Sequence, residues 1–384
     1  MIQRDVTPVL KKLADEYPVI TITGPRQSGK TTLARHAFGY LPYVSLENPD
    51  INDMAVNDPR GFLARYMDGA IFDEVQRAPR LLSYLQQIVD ESKSMGRFVL
   101  TGSQQFGLLS SITQSLAGRV ALVQLLPFSL RELYHGGGVP SIEEAMFQGL
   151  YPPVHDRRLD PSTWYANYTR TYIERDVRQL VNVRDLSAFG RFLRFCAGRS
   201  GQLLNLSGLA SDCGISHATA AAWISVLEAG YIVYLLRPHF NNFSKRLVKT
   251  PKLYFHDTGL AAWLLNIRNV DQLAAHSMRG PLFETLVLGE HVKGRYNAGL
   301  EDNRFFWRDR SGMEVDLLLD EGDRLDPIEI KSGMTFNPEM TGTVLKFASL
   351  ASDLAGKPVV VYGGDDSFEF KGVDIKSWKK YVIR

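Results

Sequence analysis

The sequence predicts an α/β protein with a parallel sheet at its N-terminal end and further, smaller modules behind it. Three observations predict this. Five short apolar runs alternate with helical periodicity over the first 125 residues. A glycine-rich turn joins the first run to a helix. Strand signals then fade and return beyond about residue 280. Strands alternating with helices indicate a parallel sheet covered on both faces.

The elements follow in order. Val6, Val9, Leu10 and Leu13 have helical spacing, and Pro18 then opens the apolar strand Val19–Thr23. A Gly-rich turn and a helix over Thr31–Phe38 follow. Pro42–Leu46, Ala70–Phe72, Arg97–Thr101 and Val120–Leu125 read as the other four strands. Near Pro127 the character changes, and His135-Gly-Gly-Gly-Val-Pro140 reads as a flexible connection. From about Pro140 to Leu264 the chain reads as mainly helical with one β segment. Phe305–Arg308, Glu314–Leu319, Pro327–Ile330 and Val359–Tyr362 are strands of a last module. Boundaries are expected near 138, 185 and 275, giving four parts: 1–138, 139–185, 186–275 and 276–384.

Composition narrows the function classes. The 384 residues carry 44 Lys+Arg against 42 Asp+Glu, a net charge of only +2. A uniformly basic coat for nucleic acid is excluded, so any electrostatic footprint is local. The two cysteines, Cys196 and Cys213, make neither a disulfide framework nor a zinc site and read as reduced thiols. No apolar run approaches the roughly 18–20 residues of a membrane helix. The charged start MIQRDVTPVLKKLADEY lacks a signal-peptide core, so a cytoplasmic protein is expected.

The strongest motif is Gly24-Pro25-Arg26-Gln27-Ser28-Gly29-Lys30-Thr31, followed by Thr32. It fits G-x-x-x-x-G-K-[ST] and stands between a strand and a helix, the context the motif requires. The loop must aim successive backbone N–H groups at an anion, and the helix N-terminus adds partial positive charge. Lys30 is expected on the β- and γ-phosphates of ATP and the Thr31 hydroxyl on Mg²⁺. Ile71-Phe72-Asp73-Glu74 supplies the acids such a loop needs. Asp73 would hold Mg²⁺, and Glu74 would orient and deprotonate the attacking water, the alternative for Glu74 being a solvated loop acid. The strand Arg97–Ser103 would bring Thr101 or Ser103 near the γ-phosphate, unless they cap a turn. Arg119 is a candidate cation for the transferring phosphoryl group or a surface salt bridge.

In the middle, Asn205–Asp212 reads as a helix, Cys213-Gly-Ile215 as a turn, and Ser216 as the cap of a second helix to about Glu228. With the β run Tyr231–Leu236 this is a winged helix-turn-helix pattern. The second helix offers His217 and Thr219 but no Lys or Arg. The cations lie beyond it: Arg237, Lys245, Arg246, Lys249 and Lys252, with no acid among them and with His239, Phe240, Asn241, Asn242 and Phe243 interleaved. Such a strip suits phosphate contacts on DNA, the alternatives being a solvated hairpin or a protein-binding module.

In the last module, Asp316 and then Glu329-Ile-Lys331 have the form of the PD-(D/E)XK nuclease core, although Val315 replaces the leading proline. Glu329 and Lys331 are two apart on one strand and share a face. Asp316 and Glu329 would share a divalent ion and Lys331 would hold the attacking water. Glu284, with Glu290 as second choice, is the candidate acid from a preceding helix. A salt-bridge cluster without chemistry is the alternative.

The segments GPRQSGKTTLA, FDEVQ, LTGSQQ and SLAGRV…LLPFSLREL together resemble the prokaryotic AAA-type ATPases that carry a C-terminal domain of unknown function. Tyr254-Phe-His-Asp-Thr-Gly-Leu260 and the Trp307 to Ser332 stretch are similar to the second half of that family. The resemblance implies an AAA-type ATP-binding domain with a helical lid, a restriction-endonuclease-like C-terminal fold and a homo-oligomer in which Arg119 serves across a subunit boundary. The leading expectation is an ATP-hydrolysing protein acting on DNA, branched DNA included. The other is a nucleotide-dependent signalling switch whose later modules bind protein.

Overall fold

A computed structural model describes residues 2–92, 94–103, 115–173, 185–239 and 248–383. They form two compact units. The first comprises Met1–Phe128, Ala229–Tyr231 and Arg295–Leu300, and the second comprises Ser129–Glu228, Ile232–Gly294 and Glu301–Arg384.

The first unit is built on the five expected strands: β1 (Val19–Thr23), β2 (Tyr43–Ser45), β3 (Ala70–Asp73), β4 (Phe98–Gly102) and β5 (Val120–Gln124). Their order is β2-β3-β4-β1-β5, and every neighbouring pair is parallel. β1, β3 and β4 are buried along their whole length, which is why they read as continuous apolar runs. Alternate residues serve opposite faces. Val19, Phe72 and Leu100 pack with Leu81, Leu82 and Leu85 of the helix Leu81–Glu91. Ile20, Ile22, Ile71 and Val99 pack with Leu10 of the helix Thr7–Glu16 and with Leu33 and Ala34 of the helix Lys30–Ala37. Because all five strands run the same way, Thr23, Asp73 and Gly102 end at one edge of the sheet. That carboxyl edge is where open α/β sheets place ligands.

The second unit holds helices, a small antiparallel sheet and a mixed sheet. Asn205 caps the helix Leu206–Cys213, Gly214 ends it in the left-handed region, and Ser216 accepts from the Thr219 N–H at the start of the helix His217–Ala229. β7 (Val233–Leu236) pairs antiparallel with β8 (Lys252–Phe255), and β6 (Gln202–Leu203) lies on the other side of β8. The expectation of one β segment here is corrected to three: β6 is too short to pattern, and β8 opens on a charged residue.

The mixed sheet contains β9 (Arg304–Arg308), β10 (Glu314–Asp320), β11 (Leu325–Lys331), β12 (Val359–Tyr362), β13 (Phe368–Phe370) and β14 (Val373–Ser377), in the order β13-β14-β12-β11-β10-β9. β9, β10 and β11 are antiparallel neighbours, whereas β12 runs parallel to β11 and β14. The register of β10 against β9 shifts between Val315 and Leu318, so Asp316 sits in an irregular stretch. Such irregularities re-aim side chains. Among the described residues no helix is long and apolar enough to cross a membrane.

Candidate nucleotide site and carboxylate site

In the first unit β1 ends at Thr23 and the loop begins. Gly24 has φ 149°, and a side chain there would collide with the Leu125 carbonyl oxygen. Gly29 takes φ 91° as the N-cap of the helix Lys30–Ala37, a conformation L residues rarely adopt. Lys30 is buried and its Nζ donates to the carbonyl oxygens of Gly24 at 3.0 Å and Pro25 at 2.7 Å. The ammonium is thus folded over the loop that a phosphate would enter. Pro25 and Ser28 are buried, Arg26 half-buried, and Gln27 and Thr32 exposed at the loop surface.

Asp73, at the end of β3, meets this loop. The Thr31 hydroxyl donates to its Oδ1 at 2.9 Å, and the Tyr43 hydroxyl to its Oδ2 at 2.7 Å. Thr101 donates to Asp73 as well. Burial and the Asp73 charge together push the Tyr43 phenol up to about 12. The donor set around Thr31 and Asp73 is all oxygen, which suits Mg²⁺. Glu74 takes φ 59°, receives the Ser103 hydroxyl at 3.2 Å and is bonded by Gln76. Its backbone N–H donates to Thr101 Oγ1 at 3.3 Å. Thr101 and Ser103 are thus tied to the two acids.

Arg119 does not reach this site in its own chain. It precedes β5, and Val120 pairs with Val19 at the start of β1, so it lies at the opposite edge of the sheet. There its Nη2 donates to Asp90 Oδ2 at 2.9 Å. Two contributors were missed. Tyr43 carries no motif signal. Arg4 donates to the Ser28 carbonyl oxygen at 3.0 Å and the Leu126 carbonyl oxygen at 2.8 Å, with its guanidinium 4.9 Å from the Phe128 ring centre.

In the second unit Asp316, Glu329 and Lys331 come together. Lys331 Nζ pairs with Glu329 and lies 3.5 Å from Asp316 Oδ2, which also accepts from the Ile330 N–H at 2.9 Å. Glu329 is buried, and its Oε2 has no hydrogen-bond partner among the described residues. Burial, aided by the Asp316 charge, pushes Glu329 up to about 7. Burial alone would lower Lys331, but Asp316 and Glu329 outweigh it and raise it.

Glu284, on the helix Arg279–Asn297, turns to other partners. Its Oε1 receives the Tyr254 hydroxyl and lies 3.3 Å from Lys252 Nζ. Burial and the Asp316 charge push it up to about 7. Asp316 and Glu329 have the hard oxygen donors a divalent ion takes. Among the described residues, however, no group of three His, Cys, Asp or Glu side chains is gathered to hold a metal. Glu290 lies elsewhere, 2.8 Å from Lys293 and accepting from the Leu130 N–H at 2.7 Å.

The basic strip needs a correction. Arg237 and Lys249 are exposed, but Lys252 is 2% exposed and faces inward from β8, so it cannot contact a phosphate chain. His239 is also buried, 3.0 Å from Asp320 and edge-on to Phe305. Lys245, Arg246 and the residues 240–243 lie outside the described residues.

Residues 16–134 match the family model of an AAA domain. Residues 139–271 and 279–381 each match a domain of unknown function, DUF8612 and DUF4143 respectively. The chain is 31% identical over 371 residues to the uncharacterized protein Rv2008c of Mycobacterium tuberculosis, covering 95% of this chain and 81% of the relative. It matches the uncharacterized protein Mb2031c of Mycobacterium bovis to the same extent. Among solved structures it is similar to a Walker-type ATPase of Pyrococcus abyssi, at 16% identity and a TM-score of 0.46 over 69% of this chain and 96% of that one.

Proposed function

For a chain that belongs to one family with these two mycobacterial proteins, and whose residues 16–134 match an AAA domain, we propose ATP hydrolysis coupled to action on DNA. The observation that carries the ATPase reading is the meeting of Thr31 with Asp73 beside Lys30 and Glu74. The loop N–H groups and Lys30 bind the phosphates. Mg²⁺, when bound at Thr31 and Asp73, neutralises charge on the β- and γ-phosphates. Glu74, steadied by Ser103 and Gln76, takes the proton of the attacking water. Arg119, half-buried on the far edge and paired there with Asp90, serves the site of a neighbouring copy in a homo-oligomer.

The second unit carries the DNA role. The helices Leu206–Cys213 and His217–Ala229 with the β7–β8 hairpin form a winged-helix module behind a helical lid, and the exposed Arg237 and Lys249 contribute its cations. The six-stranded sheet is a restriction-endonuclease-like module in which Asp316 and Glu329 hold a divalent ion and Lys331 holds water. A second reading, a nucleotide-dependent switch that binds protein, is favoured by the inward turn of Lys252 and by the cation-free helix His217–Ala229.

The test is ATP turnover and gel-shift binding with single-stranded, duplex and four-way-junction DNA, with and without a non-hydrolysable ATP analogue. Turnover that Lys30→Ala abolishes, together with nucleotide-dependent binding of one DNA form, supports the proposal. Turnover without affinity for any DNA form selects the protein-binding switch. No turnover at all removes the ATPase reading.

A further inference from the structure

Strand β8 carries a lysine into the carboxylate cluster. The Lys252 side chain is 3% exposed, with Nζ 2.5 Å from Glu314 Oε1 and 3.3 Å from Glu284 Oε1. Two residues along the same strand, Tyr254 gives its hydroxyl to the same Glu284 oxygen. Glu284 belongs to the helix Arg279–Asn297 and Glu314 to β10, so one ammonium ties three elements together. Lys331 of β11 pairs with Glu329 on its own strand and with Asp316 on β10. Four carboxylates thus face three cations, Lys252, Lys331 and Arg308, whose Nη1 lies 3.0 Å from Glu314 Oε2.

A buried ammonium loses its hydration at a large cost unless anions surround it. These carboxylates supply that surround, and the same oxygens are the ones a divalent ion would take. Oε2 of Glu329 is buried and makes no hydrogen bond among the described residues, so this carboxylate is only partly neutralised. Glu284, the remaining acid, is withheld by Lys252 and Tyr254.

We propose that Lys252 is a built-in counter-ion of the carboxylate site, competing with a divalent metal for Glu284 and keeping metal affinity low. This rests on the nuclease-like reading of Asp316, Glu329 and Lys331. A metal bound beside Lys252 meets a like charge in a poorly hydrated place. Removing the ammonium removes that repulsion and frees Glu284 as a ligand.

The test is Mn²⁺ affinity of the full chain by electron paramagnetic resonance, without nucleotide and with Asp73→Asn throughout, so that the loop site does not contribute. Lys252→Met should bind Mn²⁺ at least about tenfold more tightly than its parent, and adding Glu284→Gln should cancel the gain. Lys252→Met/Glu314→Gln removes both charges of the closest pair and serves if the single variant does not fold, as judged by circular dichroism. Equal affinity in parent and folded variants overturns the proposal, as does a gain that survives Glu284→Gln. Micromolar Mn²⁺ binding by the parent also overturns it and requires no variant beyond the parent to fold. DNA cleavage is scored separately: tighter Mn²⁺ binding without cleavage of any DNA form rejects the nuclease reading and leaves the role of Lys252 standing. Cleavage by the wild-type chain with unchanged metal affinity in the variants does the reverse.

Discussion

The hydroxyl of Tyr231 donates to Oγ1 of Thr23 at 3.0 Å, although 208 residues separate them in the chain. Both are buried in the first unit, and Thr23 is the last residue before the phosphate loop. Tyr231 adopts φ 56°, uncommon for a residue with a side chain, and burial pushes its phenol up to about 12. Thr23 also fixes β5 by accepting from the Leu125 N–H at 2.7 Å. Tyr231→Phe should therefore lower stability by about 1 kcal/mol in urea unfolding and weaken ATP-analogue binding. Unchanged nucleotide affinity would mean the bond serves packing alone.

Glu74→Gln keeps the size of the side chain and its neighbours Ser103 and Gln76 but removes the base. The variant should bind ATP like the wild type and turn over slower by roughly 10²-fold or more. A wild-type rate would move the base elsewhere. Tyr43→Phe leaves Asp73 with one donor fewer, so the Mg²⁺ concentration for half-maximal turnover should change while the maximal rate stays near its original value.

Replacing Arg237, Lys245, Arg246 and Lys249 with Ala should weaken DNA binding about equally across sequences. The slope of log K against log salt should shrink by roughly 0.9 for each phosphate that the variant no longer neutralises. Lys252→Ala should behave differently, lowering the melting temperature with little effect on the salt slope, because its ammonium faces Glu284 and Glu314.

His256 sets an acid limit. Burial, with the Arg304 and Lys293 charges adding to it, pushes its imidazole from 6.5 down to about 3. Its ring packs 4.9 Å from that of Tyr234. The unfolded chain thus takes up a proton that the folded one refuses. Stability from this group is full above about pH 6.5 and is lost as pH falls toward 3, amounting to a few kcal/mol. His256→Gln should flatten the unfolding free energy over this window. An identical acid limb in both proteins would assign the loss to other groups.

If the carboxylate site cuts DNA, Asp316→Asn and Lys331→Ala should abolish Mg²⁺- or Mn²⁺-dependent cleavage and leave ATP turnover within about twofold of wild type. Cleavage that persists in Lys331→Ala would exclude the lysine from holding the water.

The parallel sheet was legible because its strands are buried on both faces and written as apolar runs, and the loop because its spacing serves one geometry. Burial direction was not legible. Lys252 opens a strand whose four residues are all buried, so no alternation marks it as inward, and its cationic neighbours argued for a surface. Arg119 was a candidate because a fixed cation can stabilise a transferring phosphoryl group, with a surface salt bridge as the alternative. The register of β5 against β1 sends it to the other edge, and register is a non-local property. Tyr43 reaches Asp73 across 30 residues through strand pairing, with no local signature. Val373–Ser377 alternates buried and half-buried residues, a signal strong enough to have been read.

The Arg4 guanidinium props the carbonyl of Ser28 from beneath while leaning on Phe128. Arg4 is in this respect a strut of the nucleotide pocket. Loss of this guanidinium, as in Arg4→Ala, thus acts at a distance of one side chain from the phosphate turn. Weak ATP binding by such a species would report on a loosened foundation rather than on the turn's own residues.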